Sequence, residues 1–299
     1  MKYIELNNGV QMPQVVFGTY RIDNKILPRV LNEAYQLGYR QFDTAWKYGN
    51  ESVIADWLRD YNVKREDVFI TTKINLDSLY FWGYHYGIDR LKNWRNFKSI
   101  KKAVQESFDN LRMDYIDLFL IHHPYHNFME MYEVLTDFYK QGRIRAIGVS
   151  SFLPCHLKAL HEVSDVVPAV NQFEISPLNT QKELIKYCQD NGVAVEAMST
   201  FSHFRSNEPR KEITESELIK PIAQKYNKSI VQVVLRWLIQ QNIIVIPKTW
   251  YSQHMKENIS VFDFELTTEE MTIIDTMNQG RYLNYDPTAM TKYAPKKYR

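Results

Sequence analysis

Asp43, Tyr48, Lys73 and His122 are side-chain types that could together donate a proton to a carbonyl oxygen. A phenol on its own titrates near pH 10, too high for an efficient acid at neutral pH. An ammonium within hydrogen-bond reach stabilises phenolate and so makes the hydroxyl a stronger acid. A carboxylate facing that ammonium fixes its position and keeps it charged. A nearby imidazole can orient the carbonyl or assist proton transfer. Such a set supplies a proton but no electrons, so carbonyl reduction by it requires hydride from a cofactor. Taken singly, each residue has an ordinary reading: an ion pair at a barrel rim, or one of 20 tyrosines. Only the set implies chemistry.

His122 also opens a second cluster, IHHPYHNF at 121–128, with His122, His123 and His126 in five positions. A metal-dependent hydrolase would need further ligands from other parts of the chain and an open coordination position. Asp43 alone suits that role, and Pro124 breaks any helical spacing between His123 and His126. No metal is expected, and His126 reads as a bystander.

The 37 basic and 35 acidic side chains leave a net charge of +2, which gives no electrostatic argument for nucleic acid or an anionic membrane. Cys155 and Cys188 have neither metal-type spacing nor a disulfide framework, the N-terminus lacks an apolar leader, and no apolar run reaches membrane-span length. The expectation is a cytoplasmic protein whose partner is a small molecule. Glycine is scarce, at 10, and no G-x-G-x-x-G or G-x-x-x-x-G-K-[ST] occurs. Any dinucleotide would therefore be held without a Rossmann loop.

Elements that could position these groups recur along the whole chain. YIEL-NNG-VQMP reads as a β-hairpin. Short apolar runs follow: QVVFG (14–18), YRQFD (39–43), VFITTK (68–73), DLFLIH (117–122), RAIGVS (145–150), PAVNQ (168–172), VAVEA (193–197) and NIIVIP (242–247). Helical patterns lie between them. Val30, Ala34 and Leu37 share a face in 26–38, and Ile100, Val104, Phe108 and Leu111 do so in 99–113. The stretch 179–192 suggests an Asn179 or Thr180 cap and an Asn-Gly end. Strand and helix alternating in this way predict a single (β/α)₈ TIM barrel over 1–299, with an open doubly wound sheet as the alternative. In a barrel, chemistry gathers where strands end. The ends here read Gly18-Thr19-Tyr20, Asp43-Thr44-Ala45, Lys73, His122-His123, Ser150-Ser151, Asn171-Gln172, Met198-Ser199 and Lys248-Thr249. They are polar and differ from strand to strand, as a site requires.

The blocks DTAWKYGNE, TTK (71–73), YIDLFLIHHP (115–124), GVSSF (148–152), VNQFEISP (170–177) and IPKTWYSQHMKEN (246–258) resemble, in order, the successive motifs of the aldo-keto reductases. The likeness is to small bacterial members akin to the 2,5-diketo-gluconate reductases, and it runs from the hairpin to VFDFEL (261–266). It implies NAD(P)H bound in extended form at the carboxyl face of the barrel. Tyr48 would be the general acid, supported by Lys73 and Asp43, with His122 lining the carbonyl pocket. Ser150, Ser151, Gln172 and the adjacent Asn171 would hold the nicotinamide carboxamide. Gly18, Thr19, Asp43, Met198 and Ser199 would line the cofactor, and Lys248, Thr249, His254, Glu257 and Asn258 would surround its adenosine end. Tyr20, Trp46, Trp82 and His123 would line the substrate pocket. IPKT is expected to close a strand and open a helix whose amides, with Lys248, could grip a phosphate.

Four departures modify that picture. Ser151 stands where many relatives carry asparagine, and Met198 where an aromatic residue stacks on nicotinamide. His254 replaces the arginine of NADPH-preferring relatives. Since an imidazole is mostly neutral at pH 7, the expectation is NADPH bound with a weakened preference over NADH, recovering between about pH 8 and about pH 5.5. Finally, the segment 74–98 is long and aromatic, either a substrate lid containing Tyr80, Phe81, Trp82 and Tyr84 or a packed flap, with His85 facing solvent. The expected parts are thus a hairpin at 1–13, that substrate loop at 74–98 and a C-terminal tail at 278–299. The expected state is a monomer. The other function class considered is a cofactor-binding regulatory subunit with little turnover.

Overall fold

The computed structural model describes residues 2–75, 100–201 and 208–299. Tyr3–Glu5 (β1) and Gln11–Pro13 (β2) form the antiparallel hairpin, with Ile4 opposite Met12. Gly9 in its turn has φ +82°, a conformation that glycine adopts without steric cost.

Eight parallel strands follow: Phe17–Gly18 (β3), Gln41–Asp43 (β4), Phe69–Ile74 (β5), Ile116–Ile121 (β6), Ile144–Ser150 (β7), Val170–Glu174 (β8), Ala194–Met198 (β9) and Ile244–Val245 (β10), each beside its neighbour in sequence. The last returns to the first. Val15 bridges Val245 in parallel, and the Val16 amide donates to the Val245 carbonyl at 2.8 Å. The sheet is closed, so the barrel expected from the alternation is the fold, and the open sheet is not.

Outside lie helices Leu27–Gln36 (α1), Glu51–Asp60 (α2), Ile100–Leu111 (α3), Phe128–Lys140 (α4), Pro154–Leu160 (α5), Lys182–Asp190 (α6), Glu208–Thr214 (α7), Lys220–Tyr226 (α8), Ile230–Gln240 (α9), Ser252–Ile259 (α10) and Thr268–Asp275 (α11). Their apolar stripes pack on the outer faces of the strands. On α1 the buried stripe is Leu27, Val30, Leu31 and Ala34, and Leu37 instead ends the helix. On α6 neither Asn179 nor Thr180 caps the helix. Gln181 stands at the N-cap with φ +51°, and the Thr180 amide donates instead to the Asn278 side chain at 3.1 Å.

The barrel interior has two halves. At the amino ends of the strands, Ile4, Leu6 and Met12 of the hairpin region plug it, packing with Val16, Phe69, Leu118, Ala146, Val170 and Ile244. Space is tight there: a Cβ on Gly148 would lie 2.6 Å from the Val170 carbonyl oxygen. Toward the carboxyl ends the buried residues become polar, with Gln41, Asp43, Thr71, Lys73, Gln172 and Glu196 among them. An apolar plug below a polar layer leaves a single end at which chemistry can face outward.

Candidate active site

Strand β4 ends at Asp43, opposite Thr71 of β5, and the pair presents Asp43 and Lys73 into the polar layer. Both are buried. Lys73 Nζ donates to the two Asp43 carboxylate oxygens at 2.6 Å each and to the Thr44 carbonyl at 2.9 Å. The chain after β4 turns through a 3-10 helix, Trp46–Tyr48, that ends at Gly49 with φ +65°. This brings the Tyr48 ring over Lys73, whose Nζ lies 5.2 Å from the ring centroid. The His122 ring, just past β6, meets Tyr48 edge-on at 5.9 Å, and Tyr20 lies 4.7 Å away on another side. The four residues singled out from sequence are therefore gathered at one strand-end face.

A belt of hydrogen bonds holds the Tyr48 turn. Asn50 Nδ2 donates to Thr19 Oγ1 at 3.1 Å, and Asn50 Oδ1 accepts from Thr44 Oγ1 at 2.5 Å. Thr19 Oγ1 in turn donates to the Asp43 carbonyl at 2.8 Å. The Thr19 side chain therefore braces the Asp43 strand end. Glu51, next in sequence, is buried and accepts from Thr72 Oγ1 at 2.7 Å and from Asn110 Nδ2 at 3.1 Å, tying α2 to β5 and α3. Burial raises its pKa to about 7, opposed by those hydrogen bonds.

His122 and His123 are partly exposed. Their rings stack at 4.7 Å and 10°. Desolvation, then the His123, Lys73 and Lys47 charges, lower the His122 pKa well below the usual imidazole value, so this ring is neutral at pH 7. His123 is lowered to about 3 by desolvation and then by Lys47 and Lys73. His123 Nδ1 lies 2.6 Å from the Tyr285 hydroxyl of the C-terminal segment. The imidazoles thus stack and bond sideways rather than converge, and His126 is exposed beside Tyr293. Among the described residues no group of three His, Cys, Asp or Glu could hold a metal ion.

Of the residues expected around the nicotinamide, Ser150 is buried and its Oγ has no hydrogen-bond partner among the described residues. Gln172 faces inward. Its Nε2 donates to Asp43 Oδ2 at 3.2 Å and to Glu196 Oε2 at 2.8 Å, which leaves its carbonyl oxygen to offer to an amide. Asn171 does not face the site. Adjacent strand residues point to opposite faces, and its Nδ2 donates outside the barrel to the Phe152 carbonyl at 2.9 Å while its Oδ1 accepts from the Phe152 amide. Ser151, with φ +62°, hydrogen-bonds Tyr285, and a cavity joins Ser151, Glu174 and Met198 to Tyr282 and Tyr285. Ser199 follows Met198 with φ +56°.

Where adenosine is expected, the helix does not open at IPKT. β10 stops at Val245 and α10 begins at Ser252, with Thr249 Oγ1 accepting from the Tyr251 amide at 3.1 Å. His254, Glu257 and Asn258 share one face of α10, and Gln253 Nε2 donates to Glu257 at 2.7 Å. Lys248 remains exposed, yet desolvation and then the Arg210 and Arg21 charges lower its ammonium pKa. Gly18 lies flush beneath it: a Cβ there would meet Ile246 Cγ2 at 3.1 Å and Lys248 Cβ at 3.4 Å. Positive charge from three side chains is thus felt at Lys248, which favours an anion there. Trp46 is half-buried and hydrogen-bonds Glu106 of α3. Tyr80, Phe81, Trp82, Tyr84 and His85 lie outside the described residues.

A model of the aldo/keto reductase family matches residues 14–279. The chain belongs to that family. Among curated relatives, the Bacillus subtilis oxidoreductase YtbE is 38% identical over 288 residues, covering 94% of this chain and 95% of that protein. The glyoxal reductase of the same organism is 35% identical over 286 residues, covering 95% of each. A solved structure of a Gox0644 mutant in complex with NADPH superposes with a TM-score of 0.82 at 31% identity, covering 96% of this chain and 97% of that one. Among the described residues no helix is long and apolar enough to cross a membrane.

Several buried or charged residues near these groups were not singled out by sequence. Glu196 is a carboxyl inside an apolar strand, in register with Gln172, and that register could have exposed it. Glu174 accepts from the Leu283 and Asn284 amides at 2.5 and 2.7 Å and so anchors the tail; burial raises its pKa to about 7. Tyr285, Arg21 and Arg210 carried no periodic signal at all. Their roles come from chain segments that meet only in the fold.

Proposed function

We propose that this chain reduces aldehydes and ketones to alcohols with NADPH, Tyr48 donating the proton. The observation that carries this reading is the convergence of Asp43, Lys73, Tyr48 and His122 at one barrel end. The cofactor, when bound, supplies hydride to the carbonyl carbon. The Tyr48 hydroxyl gives its proton to the carbonyl oxygen as the O–H bond forms, and the phenolate left behind regains a proton from solvent. Lys73 stabilises that phenolate, and Asp43 keeps Lys73 charged and in place. His122, neutral, orients the carbonyl oxygen without competing for the proton. The carbonyl oxygen of Gln172 and the hydroxyl of Ser150 would hold the nicotinamide amide, while Lys248, Arg21 and Arg210 would hold phosphates, with His254, Glu257 and Asn258 around the adenosine. Tyr20, Trp46 and His123 would line the substrate pocket.

We place small dicarbonyls such as glyoxal among the substrates, a reading supported by the glyoxal reductase relative. The residues 1–299 would act as one monomeric barrel in the cytoplasm, a placement supported by near-neutral charge and two free cysteines. The test is NADPH oxidation over a panel of glyoxal, aromatic aldehydes, ketones, keto-acids and sugars, with Tyr48→Phe as control. Turnover by the wild type and its loss in the variant are expected. NADPH binding with no turnover on any carbonyl would overturn the reading in favour of a regulatory subunit.

A further inference from the structure

Glu196 has no exposed surface, and its carboxyl lies in the barrel interior at the level of Ile244 on β10 and Gln172 on β8. Its Oε2 accepts one N–H of the Gln172 amide at 2.8 Å, and the same nitrogen reaches Asp43 Oδ2 at 3.2 Å. Its Oε1 has no hydrogen-bond partner among the described residues. The charged groups facing it are Asp43 from β4 and Lys73 from β5, whereas β8 presents a neutral amide and β10 an aliphatic side chain. The Lys73 ammonium is already committed to both oxygens of Asp43 and to the Thr44 carbonyl. One ammonium therefore serves two carboxyls in an interior where an unpaired carboxylate is costly. The neutral acid is the form this packing tolerates.

We propose that Glu196 is a positioning residue for carbonyl reduction: as a neutral acid it clamps Gln172 beside Asp43, and its ionisation opposes proton donation by Tyr48. This rests on Tyr48 as the proton donor. The clamp fixes which edge of Gln172 faces the nicotinamide, because both N–H bonds are spent on carboxyls. Burial, then repulsion by Asp43, raise the Glu196 pKa to about 8, against the opposing pull of Gln172 and Lys73. Above that pH a second negative charge would stand beside the Asp43–Lys73 pair. It would disfavour the phenolate that Tyr48 must become, and proton transfer to the carbonyl oxygen would slow.

Glu196→Gln keeps the size and the neutral form, so it separates charge from shape. With cofactor and carbonyl saturating, kcat is followed from about pH 6 to about pH 9.5; the alkaline fall is expected to be about fivefold steeper in the wild type than in Glu196→Gln. Infrared difference spectra of the cofactor-free proteins are taken on either side of the Glu196 titration, and subtracting the Glu196→Gln spectrum from that of the wild type, which cancels the Glu51 and Glu174 contributions, should leave the loss of one protonated-carboxyl C=O band. Superimposable alkaline limbs, or no band left after that subtraction, overturn the proposal. Glu196→Leu removes the acceptor for Gln172 and is expected to weaken NADPH binding about tenfold by fluorescence titration. Wild-type affinity in a variant that melts cooperatively would overturn the clamp. Full turnover by Tyr48→Phe would instead overturn the reading of Tyr48. Since the infrared band is read without substrate or cofactor, the two failures are told apart.

Discussion

Asp117 and Asp43 are both buried carboxylates held by cations, and they sit at opposite ends of the barrel. Asp117, near the start of β6, accepts from Arg65 at 2.5 Å, from Arg145 at 2.6 Å and from the Ile70 amide at 2.9 Å. Both its oxygens are occupied, and its partners stitch the amino ends of β5, β6 and β7. Asp43 also has both oxygens occupied, but its cation, Lys73, lies under the Tyr48 ring, and its Oδ2 is shared with an amide that continues to Glu196. The first carboxylate terminates a network in structure, while the second is joined through Lys73 to Tyr48 and through Gln172 to Glu196. A buried ion pair therefore identifies nothing by itself. What distinguishes the two is that the cation of Asp43 lies under a phenol ring that an imidazole also meets.

The comparison can be broken by variants at both ends. The largest effect is expected from Tyr48→Phe, which should lower kcat/KM by about 10³-fold while leaving the melting curve close to wild type, as read by NADPH oxidation and circular dichroism. Lys73→Met should lose activity by a similar factor and also destabilise the barrel, because the buried Asp43 carboxylate is left without its cation. If Lys73→Met kept even a tenth of wild-type kcat, the assignment of charge transfer to this pair would fail. Asp117→Asn should do the reverse: unfolding free energy falls by about 2 kcal/mol, discounted for the exposure of Arg145, with kcat of the folded protein unchanged. A catalytic loss there without loss of stability would erase the distinction between the two ends.

A pH experiment sharpens the comparison further. The folded-state pKa of Glu51 is raised from 4.5 to about 7. The folded chain thus binds this proton more tightly than the unfolded chain, so the contribution is present below about pH 4.5 and is lost as pH rises through 7. Thermal unfolding should show stability declining across that window, and Glu51→Gln should remove roughly 3 kcal/mol of the decline. A stability profile with the same slope in both proteins would show that Glu51 is not the group responsible. The smallest effect is expected at the adenosine end. His254→Arg should raise the NADPH-to-NADH ratio of kcat/KM about fivefold, since Lys248, Arg21 and Arg210 already supply positive charge there.

The order of elements, the three residues at strand ends and Tyr48 in the loop after β4 were legible in the sequence. Apolar runs of strand length alternating with helical stripes leave few folds, and the barrel places strand ends together whatever the loops contain. Asp43, Lys73 and His122 could be read as neighbours for that reason alone. The strand period also separates inward from outward residues, but sequence did not say which of Asn171 and Gln172 points in. The pairing of β8 with β7 and β9 fixes that phase: Gln172 stands level with Ser150 and Glu196 and reaches Asp43, while Asn171 turns away. The Glu196 carboxyl, the Tyr285 hydroxyl on His123 and the Arg210 charge near Lys248 are contacts between segments far apart in the chain. Their distances follow from barrel register and from how the tail docks, quantities that no local propensity encodes. The sequence by itself determined which chemistry was possible and at which end of the barrel; the tertiary structure decided which polar groups share the proton and charge that chemistry needs.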